Sequence, residues 1–121
     1  MNKSLLDRRI LVVEDEMMIL MMLEGMLEDL GCTSITAAPT VKKALGLIEA
    51  QNFDVAMLDL NLNGEKSYPV ADKLSARGVP FLFSTGYADH GMIEGYADRP
   101  VLKKPFQSED LAETLRGLLA P

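Results

Sequence analysis

Cys32 and His90 are the only cysteine and the only histidine in this chain. A single thiol excludes an intrachain disulfide, and a reducing cytoplasm is its simplest setting. Cys32 reads as a small core or turn residue. His90 has no second ligand type arranged around it, so it reads as a surface loop residue, neither a metal ligand nor a phosphodonor. Long hydrophobic runs are missing as well. The longest, Met17–Leu23, falls far short of the roughly 20 residues that span a bilayer, so no membrane insertion is expected. Met1–Arg9 is polar and lacks the apolar core of a signal peptide. Positive charge is scarce. Twelve Lys and Arg against 18 Asp and Glu leave a net charge of -6, which disfavours nucleic acid as a direct partner. That balance suits a partner with basic patches, or a bound cation.

What is present is ordinary globular composition: 121 residues, 48% hydrophobic and 25% charged, enough for one domain spanning residues 1–121 and no room for two. No repeat, low-complexity tract or linker to a further module interrupts it. Apolar runs alternate with helical patterns. Ile10–Val13 predicts a first strand, and Glu16–Leu30 a helix closed by Gly31. Thr33–Ala38 predicts a weaker, edge-lying strand. Thr40 caps a second helix whose apolar face is Val41, Ala44, Leu45 and Ile48. Val55–Leu58 predicts a strand buried on both faces. Pro69 suits the first turn of a third helix with Val70, Ala71 and Leu74 inward and Gly78 at its end. Pro80–Ser84 and about Pro100–Lys103 complete the strands. Gly91 and Gly95 make any helix within 86–98 short. Ser108 is expected to cap the last helix, with Leu111, Leu115 and Leu118 as its buried stripe. Five βα units joined by crossovers imply a parallel sheet with helices on both faces.

The chemistry gathers at the ends of these runs. Asp59 follows Val55–Leu58, Glu14 and Asp15 follow Ile10–Val13, Thr85 follows Phe81–Ser84, and Lys104 follows the last strand. Open α/β sheets place their ligands at the carboxyl ends of their strands, so neighbouring parallel strands would bring all five groups to one edge. Two carboxylates about 4 Å apart repel by about 4 kcal/mol at an effective dielectric of 20. Such a cluster must protonate or bind a cation. Oxygen ligands with an incomplete shell favour Mg²⁺, which takes one or two carboxylates plus phosphate oxygens. Asp59 then reads as a nucleophile able to form an aspartyl phosphate, with Lys104 and the Thr85 hydroxyl on the transferring oxygens.

Four pieces, Ile10-Leu-Val-Val-Glu14-Asp15-Glu16, Leu58-Asp59-Leu-Asn61-Leu62, Ser84-Thr85-Gly86 and Lys104-Pro105-Phe106, form a set that resembles the receiver domain of bacterial two-component response regulators over about residues 8–119. The resemblance implies an α/β, flavodoxin-like (βα)5 three-layer sandwich with strand order 2-1-3-4-5. It implies that Asp59 accepts a phosphoryl group from a histidine kinase or histidine phosphotransfer protein and that the domain signals to a downstream protein by contact. It implies Mg²⁺ held by Asp15, Asp59 and the Asn61 carbonyl, with Glu14 acting mainly through a metal-bound water. It also implies a cis Lys104–Pro105 bond. Lys103 should face away from Lys104's side.

Two features depart from the common receiver pattern. Where receivers carry an aromatic three residues before the site lysine, this chain has Val101. Pro80-Phe-Leu-Phe-Ser-Thr-Gly-Tyr87 resembles instead a receiver subgroup whose fourth strand ends in Phe-Ala-Thr-Gly-Tyr, which makes Tyr87 a candidate switch and Gly86 its hinge. On the first helix, a step of 100° per residue predicts Ile19, Leu23, Met26, Leu27 and Leu30 inward. Met17 and Met21 then face outward with Leu20 at the border, and these three are the expected partner contacts. A phosphorylation-independent interaction module of the same fold is the alternative function. A hydrolase with an aspartate nucleophile is disfavoured, because the position of its usual second acid is Asn61, which cannot transfer a proton.

Overall fold

Strand β1, Arg9–Val13, begins the order in which the chain is built. The structure is a computed structural model that describes residues 7–62, 64–86, 96 and 99–120. After β1 come α1 (Met17–Asp29), β2 (Ser34–Ala38), α2 (Val41–Ala50) and β3 (Val55–Asp59). A two-residue pair, β4 (Asn61–Leu62) and β5 (Glu65–Lys66), precedes α3 (Tyr68–Ala76), β6 (Phe81–Thr85), β7 (Val101–Lys103) and α4 (Ser108–Leu119). The five longer strands form one parallel sheet in the order β2-β1-β3-β6-β7. Counting only those strands, this is the expected 2-1-3-4-5. The helical reading of 86–98 lies almost wholly outside the described residues.

Alternation along each strand sorts the core into two layers. Leu11, Val13, Ala56, Leu58, Phe81 and Phe83 point to the side covered by α2 and α3, where Ala44, Ile48, Val70 and Leu74 meet them. Ile10, Val12, Val55, Met57 and Leu82 point to the other side, where Leu23 and Leu27 of α1 and Leu111 and Leu115 of α4 close over them. β3 is buried at every position because it sits third of five with helices on both faces. Truncating Leu58 or Phe83 to Ala would remove about 2–5 kcal/mol. β2 pairs only with β1 and is half-buried, as its sparser apolar pattern predicts.

Local signals set the ends of the elements. Gly31 and Gly78 have φ of 96° and 71° and follow α1 and α3, where a left-handed residue closes a helix without a Cβ penalty. Thr40 Oγ1 accepts the Lys43 N–H at 3.1 Å. The last helix corrects one expectation. Ser108 is its first residue, and Gln107 holds the cap position, donating its N–H to the Asp110 carboxylate at 3.2 Å. An acid three residues on completes a capping box, and Gln107 has one in Asp110 while Ser108 has Leu111.

The stretch after Asp59 forms the antiparallel pair β4–β5, with Asn61 opposite Lys66 and Leu62 opposite Glu65. Gly64, at φ 90°, turns it, and its N–H bonds Asn61 Oδ1 at 3.0 Å. Among the described residues no helix is long and apolar enough to cross a membrane.

Candidate phosphoacceptor site

The chain leaves β1 toward β2 on one side and returns to the other side for β3. The carboxyl ends of β1 and β3 therefore flank the crevice at which open α/β sheets bind ligands. Three backbone bonds carry the sheet one step beyond its strands at this edge. Glu14 N–H reaches Ala38 O at 3.0 Å, Leu60 N–H reaches Ser84 O at 3.0 Å, and Lys104 N–H reaches Thr85 O at 2.9 Å. Glu14, Asp59 and Lys104 are thus held by the ladder itself, although β1 and β7 are not adjacent.

Lys104 Nζ lies 2.9 Å from Glu14 Oε1 and 3.1 Å from Asp59 Oδ2. Glu14, Asp15 and Asp59 each offer a carboxylate oxygen, and these oxygens lie within 4.8 Å of one another. Glu14 is 1% and Asp59 5% exposed, while Asp15 is half-buried and opens the cluster to solvent. Glu14 Oε2 also accepts the Glu16 N–H at 3.2 Å, and Asp59 Oδ1 accepts the Asn61 N–H at 3.3 Å. Thr85 is buried at the end of β6, with Gly86 half-buried just beyond it. The five groups do share one edge. Lys103 is exposed, opposite in orientation to Lys104, and the Lys104–Pro105 peptide is cis.

Three carboxylates face one ammonium. Burial pushes the Asp59 carboxyl up to about 7; Lys104 pulls it down, and the neighbouring Glu14 charge pushes it further up. Burial alone would lower the Lys104 pKa, but the hydrogen bond to Glu14 and the charges of Asp59 and Glu14 outweigh it, so the net direction is upward. Lys104 stays cationic, and the cluster remains short of positive charge. An all-oxygen donor set with a charge deficit and one open side fits Mg²⁺.

The remaining predicted residues divide. Met17 and Met21 are 68% and 62% exposed on α1. Leu20 is not an outward contact: it is 8% exposed and packs with Leu23 and Leu27 against Ile10 and Val12. The buried stripe is turned by about half of a 100° step from the predicted one, which moves Leu20 inside and leaves Ile19 and Met26 half-buried. Tyr87 and His90 lie outside the described residues. Val101 is 42% exposed. The sequence reading also overlooked Met18 and Met22, 84% and 47% exposed, and an aromatic contact. Tyr96 lies 5.5 Å from Phe81 and 6.0 Å from Phe83, ring to ring, and its hydroxyl donates to Asp72 of α3.

The family model of the response regulator receiver domain matches residues 10–116. The solution structure of SdrG from Sphingomonas melonis Fr1 is 46% identical, covers 98% of this chain and 100% of its own, and superposes with a TM-score of 0.85. A magnesium-bound receiver domain of the sensor histidine kinase PA1611 from Pseudomonas aeruginosa is 25% identical, with coverage of 94% and 98% and a TM-score of 0.78. The two-component response regulator PhoP of Pseudomonas aeruginosa is 31% identical over 92% of this chain and 51% of its own length. The chain spans about half the length of the curated relatives it matches.

Proposed function

The chain belongs to the response regulator receiver domains, and from that premise we propose that Asp59 accepts a phosphoryl group from a phosphohistidine on a histidine kinase or phosphotransfer protein. The observation that carries this reading is the bridge from Lys104 Nζ to Glu14 and Asp59, with the Asp15 carboxylate beside them. In the reaction an Asp59 carboxylate oxygen attacks phosphorus while the bond from phosphorus to the donor imidazole nitrogen breaks, the electron pair staying on that nitrogen. Lys104 turns from its carboxylate partners to a phosphoryl oxygen, and the Thr85 hydroxyl bonds another. Asp15, Asp59 and the Asn61 carbonyl are the groups that would hold Mg²⁺, with Glu14 acting mainly through a bound water. The ion supplies charge neutralisation to the transferring group.

Two relatives support the chemistry. The receiver of PA1611 has a magnesium ion coordinated in its active-site cleft, and SdrG adopts a BeF3-activated conformation. Output is by contact with a downstream protein, through Tyr87 and the Gly86 hinge beside Thr85. Met17 and Met21 meet the phosphodonor.

Incubation with Mg²⁺ and acetyl phosphate or phosphoramidate is expected to add one phosphoryl group, located on Asp59 by peptide mass. A protein that gains no mass would instead act as an interaction module independent of phosphorylation. Tyr87→Ala is expected to keep the label and lose the downstream response; a full response would remove Tyr87 from the relay.

A further inference from the structure

Four methionines, Met17, Met18, Met21 and Met22, are 68%, 84%, 62% and 47% exposed. Large apolar side chains exposed to this degree occur elsewhere among the described residues only at Val101. At 100° per residue the four occupy an arc of about 140° on the first two turns of α1. Met57, by contrast, is 1% exposed in the core.

The arc does not stop at the helix. Met22 also lines an apolar groove of about 270 Å³ together with Ile19, Lys104, Pro105 and Phe106. Lys104 belongs to that groove and to the acid cluster, and Met17 lies two positions past Asp15. The methionine arc therefore borders the groove through which Lys104 adjoins Asp59. Glu16 and Glu28, both exposed, flank the arc. The occupant that fits is a donor surface of apolar side chains edged by Lys or Arg, and this part of the argument rests on the phosphoacceptor reading above.

We propose that this methionine face is an oxidation-sensitive modification site that governs docking of the phosphodonor. A hydroperoxide oxidises each thioether by two electrons. One peroxide oxygen becomes the sulfoxide oxygen, and the other leaves as water or alcohol. The product side chain is polar where the thioether was apolar, and methionine sulfoxide reductases reverse the change. The acid cluster contains no sulfur, so its own reaction with a small donor is left as it was. Oxidation would separate the two routes to Asp59, closing the one that needs a protein surface.

The test treats the whole protein with hydrogen peroxide and follows peptide masses. Met17, Met18, Met21 and Met22 are expected to gain oxygen well before Met57; oxidation in the reverse order overturns the proposal. Phosphotransfer is then measured from whichever of the organism's purified, phosphorylated histidine kinases transfers fastest to untreated protein, and labelling from acetyl phosphate is measured in parallel. Transfer from the kinase is expected to fall at least fivefold while acetyl phosphate labelling stays within twofold, and reductase treatment restores transfer. A variant with all four changed to Leu serves as its own baseline: whatever its transfer rate before peroxide, that rate should not change after peroxide. Unchanged transfer by the oxidised protein, or equal loss in the Leu variant, overturns the proposal. So does a change of oligomeric state on oxidation, which would make a second copy the occupant. Untreated protein that takes no label from acetyl phosphate would count against Asp59 as phosphoacceptor, while the peptide masses still judge the oxidation chemistry.

Discussion

An aspartate stands at each end of β3, and the two live under different electrostatics. Asp54, just before the strand, accepts the Arg9 N–H on Oδ2 at 2.7 Å and has the Arg8 guanidinium 4.0 Å from Oδ1. It is partly exposed, and water and a cation share its charge. Asp59, the last residue of the strand, is buried beside two other carboxylates with one lysine among them. The first acid fastens β3 to β1. The second is held where its charge is poorly compensated, and that deficit is what a dication and a phosphoryl group can use. Residue type does not separate them; which end of a parallel strand they occupy does.

The sharpest way to break this comparison is to neutralise each acid in turn. Asp59→Asn is expected to lower labelling by acetyl phosphate at least a hundredfold, since an amide oxygen is no substitute for the carboxylate nucleophile. Asp54→Asn should stay within twofold of the parent. Equal losses, read by intact mass, would mean that β3 has no privileged end.

Stability tests come next. Removing the ammonium with Lys104→Met leaves Glu14 and Asp59 buried without their cation, and is expected to destabilise the fold by about 3 kcal/mol at pH 8 in urea denaturation. Added Mg²⁺ should recover part of that loss. A variant as stable as the parent would show that the carboxylates need no counter-charge.

Asp59→Asn has the opposite sign. In the unfolded chain this carboxyl titrates near its ordinary value of 3.8, and in the folded protein near 7. The native state therefore binds the extra proton, and stability falls as pH rises from about 4 to about 7. The substitution should stabilise by about 2 kcal/mol at pH 8, less than the full linkage value because the Lys104 contact is lost. At pH 4 it should change little. A gain that is the same at both pH values would refute the electrostatic origin.

The smallest effect belongs to the other end. Asp54→Asn keeps an acceptor for the Arg9 N–H but loses its charge, and should cost about 1 kcal/mol at pH 8. A stabilisation there would erase the contrast between the two aspartates.

Much of this was legible in the residues. Ile10–Val13, Val55–Leu58 and Phe81–Phe83 are apolar on both faces, which only a sheet covered twice accommodates, and Glu14 and Asp59 are each the first polar group after such a run. The orientation of α1 was not legible to the same degree. Met17–Leu23 is apolar at every position, so periodicity gave little contrast by which to choose a face, and Leu20 fell on the wrong side of a narrow margin. The Asn61–Lys66 pair was missed because its residues carry turn chemistry, and its strand character comes from cross-strand bonding. Tyr96 could not be placed by pattern at all. Its role against Phe81 and Phe83 depends on contacts distant in sequence.

The three backbone bonds that prolong the sheet past Val13, Asp59 and Lys103 have a further consequence, which hydrogen exchange would make visible. The amides of Glu14, Leu60 and Lys104 border a cleft open to solvent, yet each is locked as if it were mid-strand. They should exchange only when the whole sheet comes apart. The rim that handles phosphate would then rank among the slowest-exchanging parts of the molecule, with its precision drawn from the same cooperative unit that keeps the domain folded.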